Sequence, residues 1–472
     1  MKLIIINNYV RMFGLKTLFF LLLVFTFQET CAQKLSKKGK KAIDRIESYL
    51  LKEFPSDEPG AVVLIAQKGE IIYKKAFGIS NLETNENLAL EDVLPIASMT
   101  KQFTAVSILK LVEEDKLSLT DSIQKYIPEF PSKKHKITIE NLLTQTSGIR
   151  EYFDVDESEY HLLTKHHHPL EIIEYFKNDP LEFEPNTQYQ YSNSNYFLLG
   201  FIIERVSGKS YGEYLEKVIF SPLNMLQSSY WYSINNPNAK QPIGYQYVSG
   251  NFKPTIAVDG SIWYSSGGIT STVDDLYNWN LALFNDMLLN SNELLKKGIL
   301  LKNGESTGYS FGFFIKDLQG SVTFQHGGNL YGYSSSGLYL PKEDIYVAIL
   351  SNRGFKPTED IANYLGSEIL GKPIKPSKGL FIDSDKLEKY TGTYQLSSDK
   401  NRIMKVLIVA DRLVLSFPEQ KGAEVDVLPL GNHKFESKKV NAVLEFLIDD
   451  GGNIKSLIAE QEGKTEWIKI PE

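Results

Sequence analysis

The sequence predicts an α+β fold, in which an antiparallel sheet is flanked by helices and joined by a helical subdomain, followed by a small all-β C-terminal barrel. β-rich segments stand at both ends of the first 370 residues, around a largely helical middle, so distant segments complete one sheet. A stiff linker with two prolines follows at 371–379. The remaining residues, 380–472, alternate in short segments, which is typical of an antiparallel barrel or sandwich.

The individual elements follow from local patterns along the chain. A hairpin is predicted over 61–79, with its turn at Lys68 and Gly69. A helix is predicted around 360–370. Further strands are predicted at 309–315, 322–324, 334–340, 345–350, 403–409, 413–417, 425–430, 443–448 and 454–459.

The N-terminus is typical of an export signal, here 1–32. Lys16 precedes an apolar run at 18–27, which is shorter than the roughly 20 residues that a membrane span needs. Small residues before Gln33 permit cleavage after Ala32, so no stable membrane span is expected in the mature protein. A lipoprotein anchor at Cys31 is the alternative. We therefore expect an exported protein, periplasmic or extracellular, with its first folded domain at 33–370.

Composition excludes several classes of protein. The 472 residues are 42% apolar and 23% charged, as in ordinary globular proteins. A formal charge of −7 offers no basic surface for nucleic acid or anionic lipid. Cys31 is the only cysteine, so cleavage after Ala32 leaves no disulfide, thiol nucleophile or cysteine metal site.

The first candidate catalytic feature is Ser98 with Lys101. Residues three apart on a helix share a face, so the lysine amine can take the serine hydroxyl proton if its pKa is lowered. The helix N-terminus adds partial positive charge where an oxyanion forms. Taken alone, the pair is better explained as a helix N-cap with a solvated lysine, because the same spacing recurs at 107–110, 122–125 and 397–400.

The second feature is Tyr191 with Asn193, in a loop before the apolar helix at 197–206. A tyrosine held near cationic groups can act as a base or proton shuttle, and the asparagine amide can orient substrate or bond the lysine. A packed tyrosine in an asparagine-rich turn is the structural alternative.

The third feature is His326, Gly327 and Gly328, expected at the end of the strand 322–324. Two glycines on an edge strand let a substrate backbone approach, and the imidazole can donate to a substrate carboxylate or steer the tyrosine proton. The N–H of Asn329 would join that of Ser98 as an oxyanion donor. A hairpin turn with an incidental histidine is the alternative.

Together, in this order, the three motifs resemble the beta-lactamase-type serine hydrolases: class C beta-lactamases, D-Ala-D-Ala carboxypeptidases, D-aminopeptidases and related esterases. The likeness covers about 61–370 and includes the run 142–148, which contains Gln145. A beta-lactamase/transpeptidase-like fold is implied. The segment 387–394 resembles the lipocalin-like β-domain of some of these peptidases.

The resemblance implies roles for these residues. Ser98 would be the acylated nucleophile, Lys101 its proton partner and Tyr191 the general base. Substrate would be bound by Asn193, Gly327, Gly328, Asn329 and Gln145. His326 stands where lactamases carry a lysine, which favours the peptidase and esterase branches over antibiotic hydrolysis.

The expected activity is hydrolysis of a small peptide, ester or lactam through an acyl-enzyme, foremost a D-amino-acid peptidase or carboxypeptidase activity. An esterase, a beta-lactamase and a non-hydrolytic binding protein remain as alternatives. No cofactor is needed, and the oligomeric state stays open. The histidines at 166–168 carry no acidic ligand spacing, so a polar loop is expected there rather than a metal site.

Overall fold

A computed structural model gives the architecture. It describes residues 37–470 except 153–162, 231–240, 249–250, 257, 291–292, 355, 377–386, 410–411, 418–423, 432, 438–441, 450 and 461–462. The predicted signal at 1–32 lies outside these residues. Across the described part of the chain, no helix is both long and apolar enough to span a membrane.

Helices occupy mainly the middle of the chain, as predicted. Their bounds are α1 Lys37–Glu53, α2 Thr100–Glu113, α3 Ile139–Leu143, α4 Pro169–Phe176, α5 Asn193–Ser207, α6 Tyr211–Leu215, α7 Gly260–Gly267, α8 Val273–Phe284, α9 Glu293–Lys296 and α10 Thr358–Leu370.

The strands before the linker form one large sheet and three small ones. Their bounds are β1 Ala61–Gln67, β2 Glu70–Phe77, β3 Ile79–Asn81, β4 Glu86–Asn87, β5 Leu94–Pro95, β6 Ser229–Tyr230, β7 Tyr245–Val248, β8 Asn251–Pro254, β9 Ile269–Ser271, β10 Tyr309–Ser310, β11 Phe313–Leu318, β12 Ser321–Leu330, β13 Tyr333–Leu340 and β14 Ile345–Ser351. The large sheet has the order β10-β11-β12-β13-β14-β1-β2. The expected completion of one sheet by distant segments is therefore confirmed, because β1 pairs antiparallel with β14 along its whole length.

Helices cover both faces of this sheet. Leu338 of β13 packs beneath Gly366 of α10 on one face. On the other face, Tyr277 of α8 stacks on Tyr346 of β14, with ring centroids 6.1 Å apart. Successive residues of a strand point to opposite faces, and β14 and all of β1 except Gln67 are buried, so both strands are apolar almost throughout. The sheet therefore gives rigid support to the residues at its edge.

Strand β12 differs from its prediction. The predicted strand 322–324 runs on to Leu330, so His326 and the two glycines lie within the strand rather than at its end. The strand pairs with β11 over Ser321–Gln325 and with β13 over Phe324–Leu330, so only Phe324 and Gln325 are paired on both sides. Beyond Gln325, no described strand pairs with it on the β11 side. The predicted edge is therefore confirmed only for the segment that starts at His326.

The C-terminal segment forms a closed eight-stranded antiparallel barrel, in which the first strand pairs with the last. The predicted barrel is therefore confirmed for the C-terminal segment, and the alternative of a sandwich is wrong. Tyr390, Phe435 and Phe446 pack ring against ring in its core. The strands are β15 Gly392–Leu396, β16 Asp399–Val409, β17 Arg412–Ser416, β18 Glu424–Gly431, β19 Lys434–Ser437, β20 Ala442–Ile448, β21 Ile454–Glu460 and β22 Lys464–Ile470.

Asn352, directly after β14, connects three segments of the chain before the linker. Its side chain accepts a hydrogen bond from Gly60 N at 2.7 Å and donates to Ile79 O at 3.0 Å and Ile243 O at 2.9 Å. The residue is fully buried. A buried backbone group that loses its partner costs roughly 1–3 kcal/mol.

We predict that Asn352→Ala lowers the free energy of unfolding by about 3 kcal/mol or more, because two buried backbone groups and a partly buried one lose their partner together. Thermal and denaturant melts measure this. Asn87→Ala, at an exposed position of β4, is the matched control and should leave the melting midpoint unchanged. Equal midpoints for the two variants would contradict this account of Asn352.

Candidate active site

Ser98 lies in a tight 3-10 turn, Ala97–Met99, that runs directly into α2. Ala97 has a φ of 49°, a left-handed conformation that a residue with a Cβ adopts only under constraint. The constraint comes from Ile96, whose N–H donates to Ile269 O at 2.9 Å and whose carbonyl accepts from Ser335 Oγ at 2.7 Å. The turn is therefore fastened to the sheet and to β9, which fixes the serine.

The lysine amine meets the serine hydroxyl, as the helical spacing predicts. Lys101 Nζ lies 3.1 Å from Ser98 Oγ, 2.7 Å from Asn193 Oδ1 and 2.8 Å from Ser266 O. An amide oxygen and a backbone carbonyl only accept hydrogen bonds. When the amine is neutral, its two N–H bonds go to these oxygens, and its lone pair faces the Ser98 hydroxyl. This is the arrangement that removal of the serine proton requires.

The environment of Lys101 lowers the pKa of its amine. The residue has no exposed surface, and burial lowers its pKa from 10.5 to about 7, against the opposing effect of the Glu151 carboxylate. Nζ also lies 4.8 Å from the centroid of the Tyr191 ring. The amine is thus available as a base near neutral pH.

The loop of Tyr191 is positioned by Gln145. Gln145 has a φ of 61°, is fully buried, and accepts hydrogen bonds through Oε1 from Ser192 N at 3.0 Å and from Asn195 Nδ2 at 2.6 Å. Gln145 is expected from the resemblance to bind substrate, whereas the structure places it beneath the loop, without contact with solvent. Its Oε1 makes the contacts of a positioning residue, whereas its buried Nε2 has no hydrogen-bond partner among the described residues, so the expected contact with substrate stays a prediction.

Tyr191 lies between the lysine and the histidine. Its ring centroid is 6.0 Å from that of His326, and the ring stacks on Phe314. Burial raises the pKa of Tyr191 well above 10, against the opposing hydrogen bond with Ser98. The resting site therefore holds a protonated phenol, not the phenolate that a general base requires.

His326 is buried, and its hydrogen bond differs from the expected one. Nδ1 lies 2.6 Å from Gly327 O, a carbonyl that can only accept, so Nδ1 carries the proton. Burial lowers the pKa of His326 to about 3, with a further contribution from the charge of Lys101. The neutral ring therefore presents Nε2 as an acceptor, and donation from Nε2 to a substrate carboxylate would need a second proton on the ring.

Packing within the protein explains both glycines of the motif. A Cβ on Gly327 would lie 2.1 Å from Glu359 Oε1 of α10, and one on Gly328 would lie 2.5 Å from Ile96 O. The protein itself fills the space that a Cβ would take at both glycines, while the expected approach of a substrate backbone along the free edge stays a prediction. Gly328 instead brings the strand against the Ser98 turn, and Asn329, the next residue, is exposed there.

Sequence reasoning missed three contributors: the Ser266 carbonyl, Glu151 and Ser335. Glu151 accepts from Asn193 N at 2.6 Å and so caps α5. Of the three, Ser335 could have been found from the sequence, because it lies in a run of small polar residues within an otherwise apolar strand.

In the predicted polar loop, His168 caps α4. Among described residues no cluster of three or more His, Cys, Asp or Glu could hold a metal.

Comparisons with known proteins identify the family and the fold. The beta-lactamase family model matches residues 49–370. Penicillin-binding protein 4* of Bacillus subtilis (strain 168) is 26% identical over 432 residues, covering 86% of this chain and 93% of that protein. Protein flp of Staphylococcus aureus (strain N315) is 28% identical over 348 residues, covering 71% of this chain and 68% of that protein.

Solved structures share the fold. The octameric penicillin-binding protein homologue from Pyrococcus abyssi has a TM-score of 0.62 at 26% identity, covering 90% of this chain and 99% of that one. D-amino acid amidase from Ochrobactrum anthropi SV3 has a TM-score of 0.59 at 20% identity, covering 70% and 98%. Because the family model spans residues 49–370, more than half of the chain, the chain belongs to the beta-lactamase family of serine hydrolases.

Proposed function

We propose that this protein hydrolyses amide or ester bonds of D-amino-acid substrates through an acyl-enzyme on Ser98. The observation that carries the proposal is the 3.1 Å contact between Lys101 Nζ and Ser98 Oγ, with both amine N–H bonds directed to other oxygens. The D-amino acid amidase among its structural neighbours supports the substrate class.

Acylation begins when the neutral Lys101 amine takes the proton of the Ser98 hydroxyl. The serine oxygen bonds to the substrate carbonyl carbon, and the carbonyl oxygen becomes an oxyanion. The backbone N–H groups of Ser98 and Asn329 donate to it. Collapse of this intermediate breaks the bond to the leaving amine or alcohol, which takes up the proton held by Lys101, and leaves an ester on Ser98.

In this scheme Tyr191 relays the proton from Lys101 to the leaving group. Its hydroxyl bonds the Ser98 hydroxyl and can pass the Lys101 proton towards the leaving group while remaining a phenol between transfers. In the first step Lys101 is therefore the general base, in place of Tyr191, to which the resemblance assigns that role. In deacylation a water gives its proton to the same pair, attacks the ester and restores the Ser98 hydroxyl.

Covalent labelling tests the nucleophile and its base. Ser98→Ala should abolish labelling by a fluorescent acylating probe, because no oxygen remains to be acylated. Lys101→Met should slow labelling by roughly 10²- to 10⁴-fold, the usual contribution of a general base. Lys110→Met, a change on the same helix at a partly exposed residue, is the matched control and should label at the wild-type rate. Wild-type labelling of Ser98→Ala would refute the proposal.

The rate of acylation should rise with pH and reach half its maximum near pH 7, because only the neutral form of Lys101, whose pKa is about 7, accepts the proton. Glu151 raises that pKa, so Glu151→Gln should move the midpoint to lower pH. Glu47→Gln, which removes the partner of Lys75 at the surface, should leave it in place. Stopped-flow labelling across pH 5–9 measures this, and a midpoint shifted upward in Glu151→Gln would contradict it.

We also propose export of the chain to the periplasm or the medium. The supporting feature is the apolar run at 18–27 followed by a cleavage site after Ala32. Sequencing of the mature N-terminus should then begin at Gln33. A lipid-modified Cys31 at that terminus would show anchoring instead.

A further inference from the structure

The end of α7 contains a strained residue close to the carbonyl that holds Lys101. Tyr264 has a φ of 41° and a ψ of −132°, outside the regions that residues with a Cβ normally adopt. Two residues later, the Ser266 carbonyl accepts a hydrogen bond from Lys101 Nζ at 2.8 Å. A strained backbone persists only where its surroundings fix it. The contacts that fix this segment therefore also fix one acceptor of the lysine.

Helix α2 holds two consecutive carbonyls of this segment. Thr104 Oγ1 donates to Ser265 O at 2.7 Å, and Lys101, three residues earlier on the helix, donates to the next carbonyl, that of Ser266. Thr104 and Ser265 have no exposed surface, so their bond is shielded from water. Because the two carbonyls belong to neighbouring peptide groups, a displacement of the first moves the second.

Tyr211, the first residue of α6, lies behind Thr104. Its hydroxyl is 2.7 Å from Thr104 Oγ1. The Thr104 proton goes to a carbonyl, which can only accept, so the phenol donates to the threonine oxygen. Tyr211 is fully buried, and its N–H donates to Glu204 Oε1 at 2.8 Å, which fixes the start of α6. A chain of hydrogen bonds thus runs from Tyr211 through Thr104 to the Ser265 carbonyl.

Helix α5 contacts the same segment. Ser265 Oγ donates to Tyr196 O at 2.8 Å, and a Cβ on Gly200 would lie only 2.0 Å from Ser265 Oγ. The segment is therefore held by α2 and by α5 together, which explains how Tyr264 keeps its strained conformation.

We propose that Thr104 is a positioning residue for acylation. Its bond to Ser265 O keeps the neighbouring carbonyl against Lys101, and this contact keeps the amine directed at Ser98. Without the bond the strained segment relaxes and withdraws that carbonyl, so the amine can turn its lone pair away from the serine. The inference rests on the proposed function, because it concerns the base of that reaction.

Titration of the Lys101 amine by ¹⁵N NMR, with lysine labelled at Nζ, tests this role without catalysis. Thr104→Val removes the hydroxyl from a side chain of nearly the same shape. The amine should then titrate about one pH unit below the wild-type midpoint, because the ammonium form loses a hydrogen bond. Thr104→Ser, which restores the hydroxyl, should return the midpoint to the wild-type value. Every variant keeps the titratable groups that face the amine: Glu151, Tyr191, Tyr196 and His326.

The rate of acylation gives a second readout. At pH 9, where the amine is neutral in both proteins, labelling of Ser98 should be roughly tenfold slower or more in Thr104→Val, because the lone pair is misdirected. Thr104→Ser should label at the wild-type rate. An unchanged or raised midpoint, or an unchanged rate, in Thr104→Val would overturn the inference.

Ser367→Ala on α10 is the matched control. Ser367 is fully buried and donates to Tyr364 O at 2.7 Å, so this variant loses a hydrogen bond of the same kind. Helix α10 covers the opposite face of the sheet from α8, on which Phe103 of α2 stacks. Ser367→Ala should therefore lower the melting midpoint without changing the titration or the rate. A titration moved equally in both variants would indicate general loosening and overturn the inference.

Two further results keep the inference separable from folding and from the proposed function. If Thr104→Val does not fold, Tyr211→Phe decides: it removes only the phenol hydroxyl and should lower the midpoint by a smaller amount, and an unchanged midpoint would overturn the inference. If the midpoints move as predicted but no acyl-enzyme forms on Ser98 of the unaltered chain, the proposed function fails while the hold of Thr104 on the lysine stands.

Discussion

The structure depends on the burial of one amine. Lys101 has no exposed surface, yet each hydrogen bond that its ammonium can donate meets an oxygen from a different segment: its own turn, the start of α5 and the end of α7. Burial supplies the lowered pKa, and the three oxygens keep the amine aimed at Ser98. The strained turn at Ala97 and the left-handed Gln145 are supports for this arrangement, because each fixes a segment that carries one of the contacts.

The chemistry of the site could be predicted where it depends on local spacing. Ser98 and Lys101 share a helical face because they are three residues apart, and this holds whatever surrounds them. The sheet was also predictable, since apolar runs at 61–67 and 345–350 are typical of strands buried on both faces. The alternation of residues predicts the barrel but not all of its strands. β15 begins with a glycine, β19 has only four residues and β22 carries frequent charges, and each of these features obscures the period of two.

What the sequence could not give are the contacts between remote segments. Gly327 and Gly328 indicate a strand end when taken alone, whereas here Glu359 and Ile96 fill the space above them, and the strand continues. The proton position on His326 depends on the backbone of its neighbour within that strand. The sequence indicates that Gln145 lies near the site, but only the structure shows that its amide lies beneath the Tyr191 loop and accepts a hydrogen bond from Ser192 N. Such roles belong to tertiary packing, not to residue type or spacing.

Direct titration of the Lys101 amine tests the account most directly. The protein, labelled with lysine carrying ¹⁵N at Nζ, is followed by NMR from pH 5 to 11, and the Lys101 signal is identified by its absence from the Lys101→Met spectrum. We predict that the Lys101 amine titrates at about pH 7, well below the ordinary pKa of 10.5. A Lys101 signal that titrates with those of the surface lysines, above pH 10, would contradict it.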